Sequence, residues 1–402
     1  MAQNATTVKR PQVAVIANIY KTHLHTQHII DRILEGYGWG GVFFHSPLDV
    51  VSLFVEQRGE GDLVPDRTKR HPGMKAYPTI GQALTRGTGK LAVDGVIYIG
   101  EQGTYPSNEK GQTEYPRYRF FEEVVDVFRS SGRSVPFYLD KHLSWNWNEA
   151  KDMYDTARKM GFPFMAGSSL PLTWRMPQVE MPLGAGIRES MCVAFGGLDS
   201  YDIHALEAVQ CMVERRKGGE TGVEWLQAYR GDNFWKAHEK GLWSPALFKA
   251  ALCRSETLKP GRDTFTSAYP TVERMKMLAP DPVAYHYRYK DGLRSTIILL
   301  NGLVQDFTFA AAIEGQPKPF STLMYLSKQA HAATIESYFN PLVHYIEQMM
   351  ITGKEPYPVE RVLLATGLVC AGIDSLFQGQ QRIETPQLAI RYQPGPSTLR
   401  IT

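Results

Sequence analysis

The sequence predicts an α/β chain: an N-terminal Rossmann-like, doubly wound parallel sheet, then an α+β domain with an open, mainly antiparallel sheet. Two observations support this. Up to residue 167, short apolar runs alternate with amphipathic helical segments, as in βα units. A proline-rich crossover begins near Ser168, and strand-like runs with tight turns follow it. We expect a first domain over residues 1–167 and a second over 168–402, with the helices at about 341–378 able to pack back on the first.

The first domain begins with a continuous apolar run at 13–17, which is typical of a strand covered on both faces. A helix from about Thr22 to Leu34 follows, and glycines then break the chain. The pattern next predicts a second strand at 42–46, a helix over 47–57 and an exposed charged loop. The remaining predicted segments are a helix at 80–84, strands at 91–100, 135–140 and 162–167, and helices at 120–132 and 147–160.

The second domain is predicted from repeated strand-like runs and a few helical ones. A strand at 189–197 precedes a helix from Asp202 to Arg216. Further strand-like runs lie at 223–230, 283–289, 293–300, 303–311 and 318–326. Two amphipathic helices, at 341–354 and 359–378, show apolar residues at i, i+3 and i+4.

Composition argues against several classes of function. The 402 residues carry 44 basic and 41 acidic side chains, so a net charge of +3 favours neither nucleic acid nor an anionic membrane. No apolar run approaches the roughly 20 residues of a membrane span. The four cysteines are far apart and without a C-x-x-C pair, which indicates free thiols in a reducing compartment. We therefore expect a cytoplasmic protein.

The loop after the first strand lacks the glycines of a dinucleotide-binding fingerprint. The positions of G-x-G-x-x-G read Ala17, Ile19 and Thr22. A glycine in the middle lets the backbone touch a diphosphate, and an isoleucine side chain would fill that space. The strand expected at 42–46 also ends on histidine and serine, not on the acidic residue that holds a ribose diol. The sequence therefore speaks against conventional NAD(P) binding.

Three histidines stand in that loop instead. His23, His25 and His28, together with Glu101 or His142, could hold a divalent metal, because neutral imidazole nitrogens are common ligands. The alternatives are polar loop histidines, or contacts to an anionic or sugar ligand.

A long segment of twenty polar and aromatic residues, 101–120, follows the strand at 91–100, where about 2–6 residues usually suffice. It should lie over the crevice at the carboxyl ends of the strands and act as a lid. The aromatic side chains could stack on a sugar, or could simply anchor the loop. The candidate substrate contacts here and in the crossover are Glu101, Tyr105, Tyr115, Tyr118, Trp174 and Arg175.

Three segments resemble the glucose–fructose oxidoreductase and inositol dehydrogenase family (Gfo/Idh/MocA). VDGVIYIG at 93–100 is similar to the fourth strand of that family. Residues 134–167 are similar to the block that holds its E-K-P motif, and residues 344–380 are similar to its returning C-terminal helices. The resemblance implies a Rossmann domain joined to an open antiparallel sheet. It also implies a homo-oligomer, a dimer or tetramer, assembled through that sheet.

Within this resemblance, the lysine of E-K-P falls on Lys141. Asp140 stands for the glutamate and His142 for the proline. A lysine desolvated at a strand end should have a lowered pKa and serve as general acid or base, or hold a sugar hydroxyl. The alternative is a structural ion pair with Asp140 or Glu101.

The family's D-x-G-x-H segment falls on residues 196–207, where His204 matches the histidine. Its aspartate is matched by Asp199, Tyr201 or Asp202, since the spacing is one residue short. Glu207 lies three residues beyond His204 on the predicted helix and could orient it, as could either aspartate. The aspartates could instead be helix caps.

We predict an enzyme that acts on a sugar, keto-sugar or glycoside by general acid–base proton transfer through Lys141 and His204. Elimination, hydration or hydrolysis would suit such a pair, and a metal could assist. One alternative is an NAD(P)-dependent sugar oxidoreductase with an altered cofactor loop. Another is a non-catalytic sugar-binding protein. The expected partner is a small sugar, with no nucleic acid and no membrane.

Overall fold

The computed structural model of the chain describes residues 10–263, 266–326 and 336–395. The strands are β1 (Gln12–Ile19), β2 (Tyr37–Trp39), β3 (Val42–Phe44), β4 (Asp49–Gln57), β5 (Lys75–Ala76), β6 (Gly95–Ile99), β7 (Phe137–Asp140), β8 (Phe164–Gly167), β9 (Arg175–Met176), β10 (Ile187–Ala194), β11 (Val223–Arg230), β12 (Val283–Tyr289), β13 (Arg294–Leu299), β14 (Phe307–Ile313), β15 (Phe320–Met324) and β16 (Arg382–Glu384). The helices are α1 (His25–Glu35), α2 (Val64–Arg70), α3 (Ile80–Thr85), α4 (Arg117–Ser131), α5 (Trp147–Met160), α6 (Asp202–Val213), α7 (Asp232–Glu239), α8 (Pro245–Leu252), α9 (Val272–Leu278), α10 (Asn340–Thr352) and α11 (Glu360–Phe377).

The first sheet has six parallel strands in the order β5-β4-β1-β6-β7-β8. Counting only these strands, the order is 3-2-1-4-5-6, which is that of doubly wound dinucleotide-binding domains. β1 is buried along nearly its whole length, as its continuous apolar sequence predicted. The parallel N-terminal domain is therefore confirmed, and its switch point lies between β1 and β6.

The second strand of this sheet is β4, and our assignment of that strand to 42–46 was wrong. Residues 42–44 are strand β3, which pairs with β2 in a hairpin separate from this sheet. Residues 49–57, which we expected to be helical, pair in parallel with β1. The β-branched and apolar residues Val50, Val51, Leu53, Phe54 and Val55 are suited to a strand, and Ser52 among them is fully buried.

The second sheet has eight strands in the order β16-β11-β12-β13-β10-β14-β15-β9. Its neighbours are antiparallel except for the parallel pair of β10 and β13. This confirms the mainly antiparallel character of the second sheet. The crossover after Ser168 contributes β9 at one edge of it.

Both faces of the second sheet are covered by helices of the same chain. On β10, Cys192 and Ala194 pack with α6 and α11, whereas Met191 and Val193 pack with α7, α8 and α9. The helices α7 to α9 lie in a segment to which we had assigned no helix.

The helix α10 returns to the first domain. Its apolar side chains belong to the same core as β1, β6 and α4, and it contacts α1 and the hairpin β2–β3. The next helix, α11, packs between α5 of the first domain and α6 and β11 of the second. Among the described residues, no helix combines the length and the apolarity needed to cross a membrane.

Candidate active site

A cavity of about 400 Å³ lies where the carboxyl ends of the first sheet face the second domain. It opens at the switch point, which is where doubly wound sheets bind ligands. Its lining comes from the ends of several elements: His25, Gln102, Lys141, Ser169, Leu170, Phe195, Tyr201, His204, Gln305, Phe307, Leu326, Glu336, Tyr338 and Phe339. The structure thus brings Lys141 of the first domain and His204 of the second into one cavity.

Lys141 follows β7 in a left-handed conformation, with φ of 63°. Its Nζ lies 2.9 Å from Glu101 Oε2 and donates a hydrogen bond of 3.2 Å to the carbonyl of Ser200. Burial lowers the pKa of this ammonium, but the carboxylates of Glu101 and Asp140 outweigh burial and leave the pKa above its ordinary value. We expected a lowered pKa, which is wrong, because the ion pair with Glu101 keeps the lysine charged.

The carboxylate of Glu101 is shared by two buried cations. It also pairs with Arg117, a fully buried residue at the start of α4. Arg117 donates to His142 Nε2 at 3.0 Å, and His142 is fully buried too. Burial, followed by Arg117, holds the pKa of His142 well below its usual range. Glu101 and His142 are therefore in the layer beneath the cavity, not in its lining.

His204, on the first turn of α6, is 6% exposed and lies against the rings of Tyr201 and Phe307. Its Nδ1 has no hydrogen-bond partner among the described residues. Burial, and then the charge of Lys141, holds the pKa of His204 well below its ordinary value. The imidazole is therefore neutral at physiological pH and able to accept a hydrogen bond.

The three carboxylates proposed to orient His204 are engaged elsewhere. Asp199 accepts from the Thr113 backbone at 3.0 Å, and Asp202 accepts from its neighbour Ile203 at 2.9 Å and from a tyrosine. Glu207 accepts from the backbone N–H of Ser168, also at 2.9 Å. Burial raises the pKa of Asp199 to about 6, and those of Asp202 and Glu207 to about 7.

The three histidines of the first loop diverge. His25 Nδ1 lies 2.7 Å from Asp140 Oδ2, and His28 stacks on Phe339 with ring centroids 4.9 Å apart. His23 has a left-handed backbone whose N–H donates to the Gln27 side chain. No group of three or more potential metal ligands was found among the described residues. The shared metal site that we predicted from the spacing is therefore not formed there.

The remaining predicted substrate contacts lie outside the cavity lining. Tyr105 donates to Glu56 at 2.6 Å, Tyr115 lies under the Arg117 guanidinium, and Tyr118 donates to an aspartate of α5. Two further residues belong to the crossover. Trp174 lies beside Tyr325, and Arg175 is buried with its guanidinium on backbone carbonyls and Cys211.

The crevice has features that fit a dinucleotide. The N-cap residue of α1, Leu24, makes no capping hydrogen bond and the first turn has no acidic residue, so this N-terminus favours an anion such as a diphosphate, which would compete with Gln102 Oε1 for the N–H of His25. β4 ends on Glu56 and Gln57, which supply the acidic residue that we had judged absent. Ile19 is 9% exposed and is not among the lining residues. Its side chain therefore does not narrow this cavity.

Sequence reasoning missed the aromatic wall of the cavity and the end of β4. Phe195, Phe307 and Phe339 come from three segments that local patterns could not bring together. Glu56 was overlooked only because residues 47–57 were read as a helix. The β-branched, apolar run before Glu56 was the available signal.

Comparison with known proteins identifies the fold. No protein-family model and no curated protein matches the chain. Among solved structures, GenD2 from gentamicin A biosynthesis in complex with NAD is 12% identical, covers 96% of this chain and 99% of its own, and has a TM-score of 0.58. A putative NADPH-dependent oxidoreductase from Desulfitobacterium hafniense is also 12% identical, with coverages of 95% and 99% and a TM-score of 0.55. The myo-inositol dehydrogenase from Lactobacillus casei, in complex with NAD(H) and myo-inositol, is 10% identical, with coverages of 97% and 99% and a TM-score of 0.53.

These structures correct one expectation. We doubted a conventional NAD(P) cofactor, and two of the three structures hold NAD or NAD(H) on the same two-domain fold. These NAD-bound structures contradict the doubt, and one of its grounds, the missing acidic residue, is removed by Glu56 at the end of β4. The chain has the fold of the Gfo/Idh/MocA oxidoreductases, as its sequence motifs predicted.

Proposed function

We propose that this protein is an NAD(P)-dependent oxidoreductase that acts on an alcohol of a sugar, an inositol or a related polyol, or on the corresponding ketone. The observation that carries the proposal is the single cavity shared by Lys141 and His204, at the switch point of a dinucleotide-type sheet. The solved structures of this fold favour oxidation and reduction over the elimination, hydration or hydrolysis that we first predicted.

Two parts of the first domain are suited to hold the cofactor. The N-terminus of α1 would take the diphosphate, and Glu56 at the end of β4 would take the ribose diol. When bound, NAD(P) supplies the acceptor or donor of hydride. Glu56 already contacts Tyr105 and Arg119, so the segment 101–116 is tied to this end of the crevice.

The chain's own residues supply the polar contacts of the reaction. The Lys141 ammonium, held charged by Glu101, is placed to donate a hydrogen bond to the substrate oxygen. The neutral His204 is placed to accept one from a substrate hydroxyl. Apolar rings of Phe195 and Phe307 flank these groups and exclude water, which strengthens both contacts.

The first test is binding of the cofactor itself. Purified protein is titrated with NADH and NADPH, and the nicotinamide fluorescence and anisotropy are followed. We expect saturable binding of at least one of the two at micromolar concentrations. If neither NADH nor NADPH binds at concentrations up to about 1 mM, the proposal is refuted.

The second test is turnover. A panel of sugars, inositols and sugar acids is incubated with NAD and with NADP, and absorbance at the nicotinamide band is recorded. For any substrate found, Lys141→Met should lower kcat/KM by about 10²–10⁴-fold, because it removes a charged donor at the reacting oxygen. Lys151→Met is the matched control, since Lys151 is a surface lysine paired with Asp155 on α5. Equal losses in the two variants would contradict the assigned role.

A further inference from the structure

The cavity contains a second histidine whose setting differs from that of His204. His25 is the first residue of α1 and lines the cavity with a side chain that is 17% exposed. Its Nδ1 is 2.7 Å from Asp140 Oδ2. Asp140 is fully buried at the end of β7, and its Oδ1 lies 3.2 Å from the Tyr138 hydroxyl, whose single proton it shares with the Gly167 carbonyl at 3.1 Å. The imidazole is thus held by a carboxylate that is itself positioned by a second hydrogen bond.

This contact fixes which nitrogen of His25 is available. Burial opposes ionisation of Asp140, but its contacts with His25 and Lys141 outweigh burial and hold the pKa of Asp140 below its usual value, so Asp140 is an anion that can only accept. His25 Nδ1 must therefore carry the proton. The lone pair of the neutral ring then resides on Nε2, the nitrogen remaining for the cavity.

The electrostatic settings of the two histidines are opposite. The ring of His25 faces a carboxylate, because its Nδ1 lies 2.7 Å from Asp140 Oδ2. A proton gained by His204 would create a buried cation near Lys141, with no carboxylate bonded to its Nδ1. His25 is therefore the histidine whose ring is oriented by a carboxylate, the arrangement typical of a general base, whereas His204 Nδ1 has no such partner among the described residues.

We propose that His25 is the catalytic residue that accepts the proton of the substrate hydroxyl, and that Asp140 is its positioning residue. The inference rests on the proposed function and names its proton acceptor. In the oxidation direction the substrate O–H bond breaks, its proton bonds to His25 Nε2, and the electron pair of that bond stays on the substrate oxygen. The imidazolium then returns the proton to water.

The geometry is tested first without turnover. Protein labelled with ¹⁵N-histidine should show the Nδ1–H tautomer at His25, assigned by its loss in His25→Ala. In Asp140→Asn the carboxylate is replaced by an amide, and the His25 signals should shift. An Nε2–H tautomer at His25 in the wild-type protein would overturn the proposal, because Nε2 could not then accept a proton.

The catalytic role is tested by chemical rescue. His25→Ala should lower kcat, measured at saturating cofactor, by about 10²–10⁴-fold. Added imidazole should raise the kcat of His25→Ala at least tenfold and should leave the kcat of His204→Ala unchanged. His71→Ala, a histidine at the end of α2 outside the cavity, is the matched control and should keep wild-type kcat.

The outcomes separate this inference from the function on which it rests. A wild-type protein that neither binds NADH or NADPH nor turns over would refute the proposed function, and this inference with it. Two outcomes would refute this inference alone in a wild-type enzyme that turns over. One is a kcat of His25→Ala above one tenth of the wild-type value, and the other is imidazole rescue of His204→Ala but not of His25→Ala. For Asp140, a positioning role requires that Asp140→Asn lower kcat and that Asp140→Glu recover part of it.

Discussion

Replacement of Glu101 by glutamine should destabilise the protein strongly. The Glu101 carboxylate is 4% exposed and neutralises two cations, Lys141 at 2.9 Å and Arg117, whose side chains are 5% and 0% exposed. Removing one partner of a buried ion pair leaves an uncompensated buried charge and typically costs about 3–5 kcal/mol. We expect a loss at the upper end of that range for Glu101→Gln, since two cations lose their partner. Glutamine keeps the shape, so packing contributes little.

The assay is urea unfolding at pH 7.5, followed by tryptophan fluorescence and by circular dichroism, since a chain with two sheets can unfold in more than one step. Asp126→Asn is the control. Its carboxylate pairs with Arg129 at 3.0 Å on the surface of α4, and such exposed pairs contribute about 0–1 kcal/mol. A loss below about 1 kcal/mol for Glu101→Gln would refute the reasoning. It would mean that water or a local shift compensates the two cations.

Three further predictions concern stability and cofactor choice. Burial raises the pKa of Glu207 to about 7, so the folded protein keeps a proton between about pH 4.5 and 7 that the unfolded chain releases. The wild-type free energy of unfolding therefore falls as pH rises through that window. Between pH 5 and pH 8, the unfolding free energy of Glu207→Gln should rise by about 1–3 kcal/mol relative to that of the wild type, and a difference that stays constant with pH would contradict this. Gly167→Ala should lower the free energy of unfolding by more than about 2 kcal/mol, because φ is 118° and a Cβ would lie 2.5 Å from Glu207 Oε1. Gly161→Ala is the control and should cost about 1 kcal/mol, since φ is 72° and the added Cβ would meet open space. Equal losses in urea or thermal unfolding would count against the steric argument. Fluorescence titration should show NADH bound at least tenfold more tightly than NADPH, since Glu56 would repel a 2′-phosphate, and a preference for NADPH would indicate that Arg119 governs the choice instead.

The elements with strong local signals could be predicted from the sequence. α5 begins and ends where we expected, because Asn146 caps its first turn and Gly161 adopts the left-handed conformation that ends it. The strands β11 and β12 were placed to the residue. In each case the controlling interactions lie within a few residues of the element.

The errors have a different origin. Residues 47–57 were predicted to be helical, whereas their strand conformation is decided by parallel pairing with β1, which is distant in sequence. Helix α8 was overlooked although Ser244 caps it and Pro245 occupies its first turn, a signal that could have been recognised.

The site could be predicted only in part. Lys141 and His204 were found through a resemblance to a family, and the structure places both in the cavity. The partners that decide their protonation were not predictable from spacing. His25 and Asp140 are 115 positions apart in the chain, and only the parallel order of β1, β6 and β7 brings them together.

The helices α7, α8 and α9 have a consequence for assembly. They occupy the outward side of the second sheet, where Trp243, Phe248 and Leu252 are almost fully shielded from solvent. This side of the sheet is therefore covered by helices of its own subunit. Deletion of the segment that carries these helices would expose the apolar side chains of the sheet to water and cause the protein to aggregate.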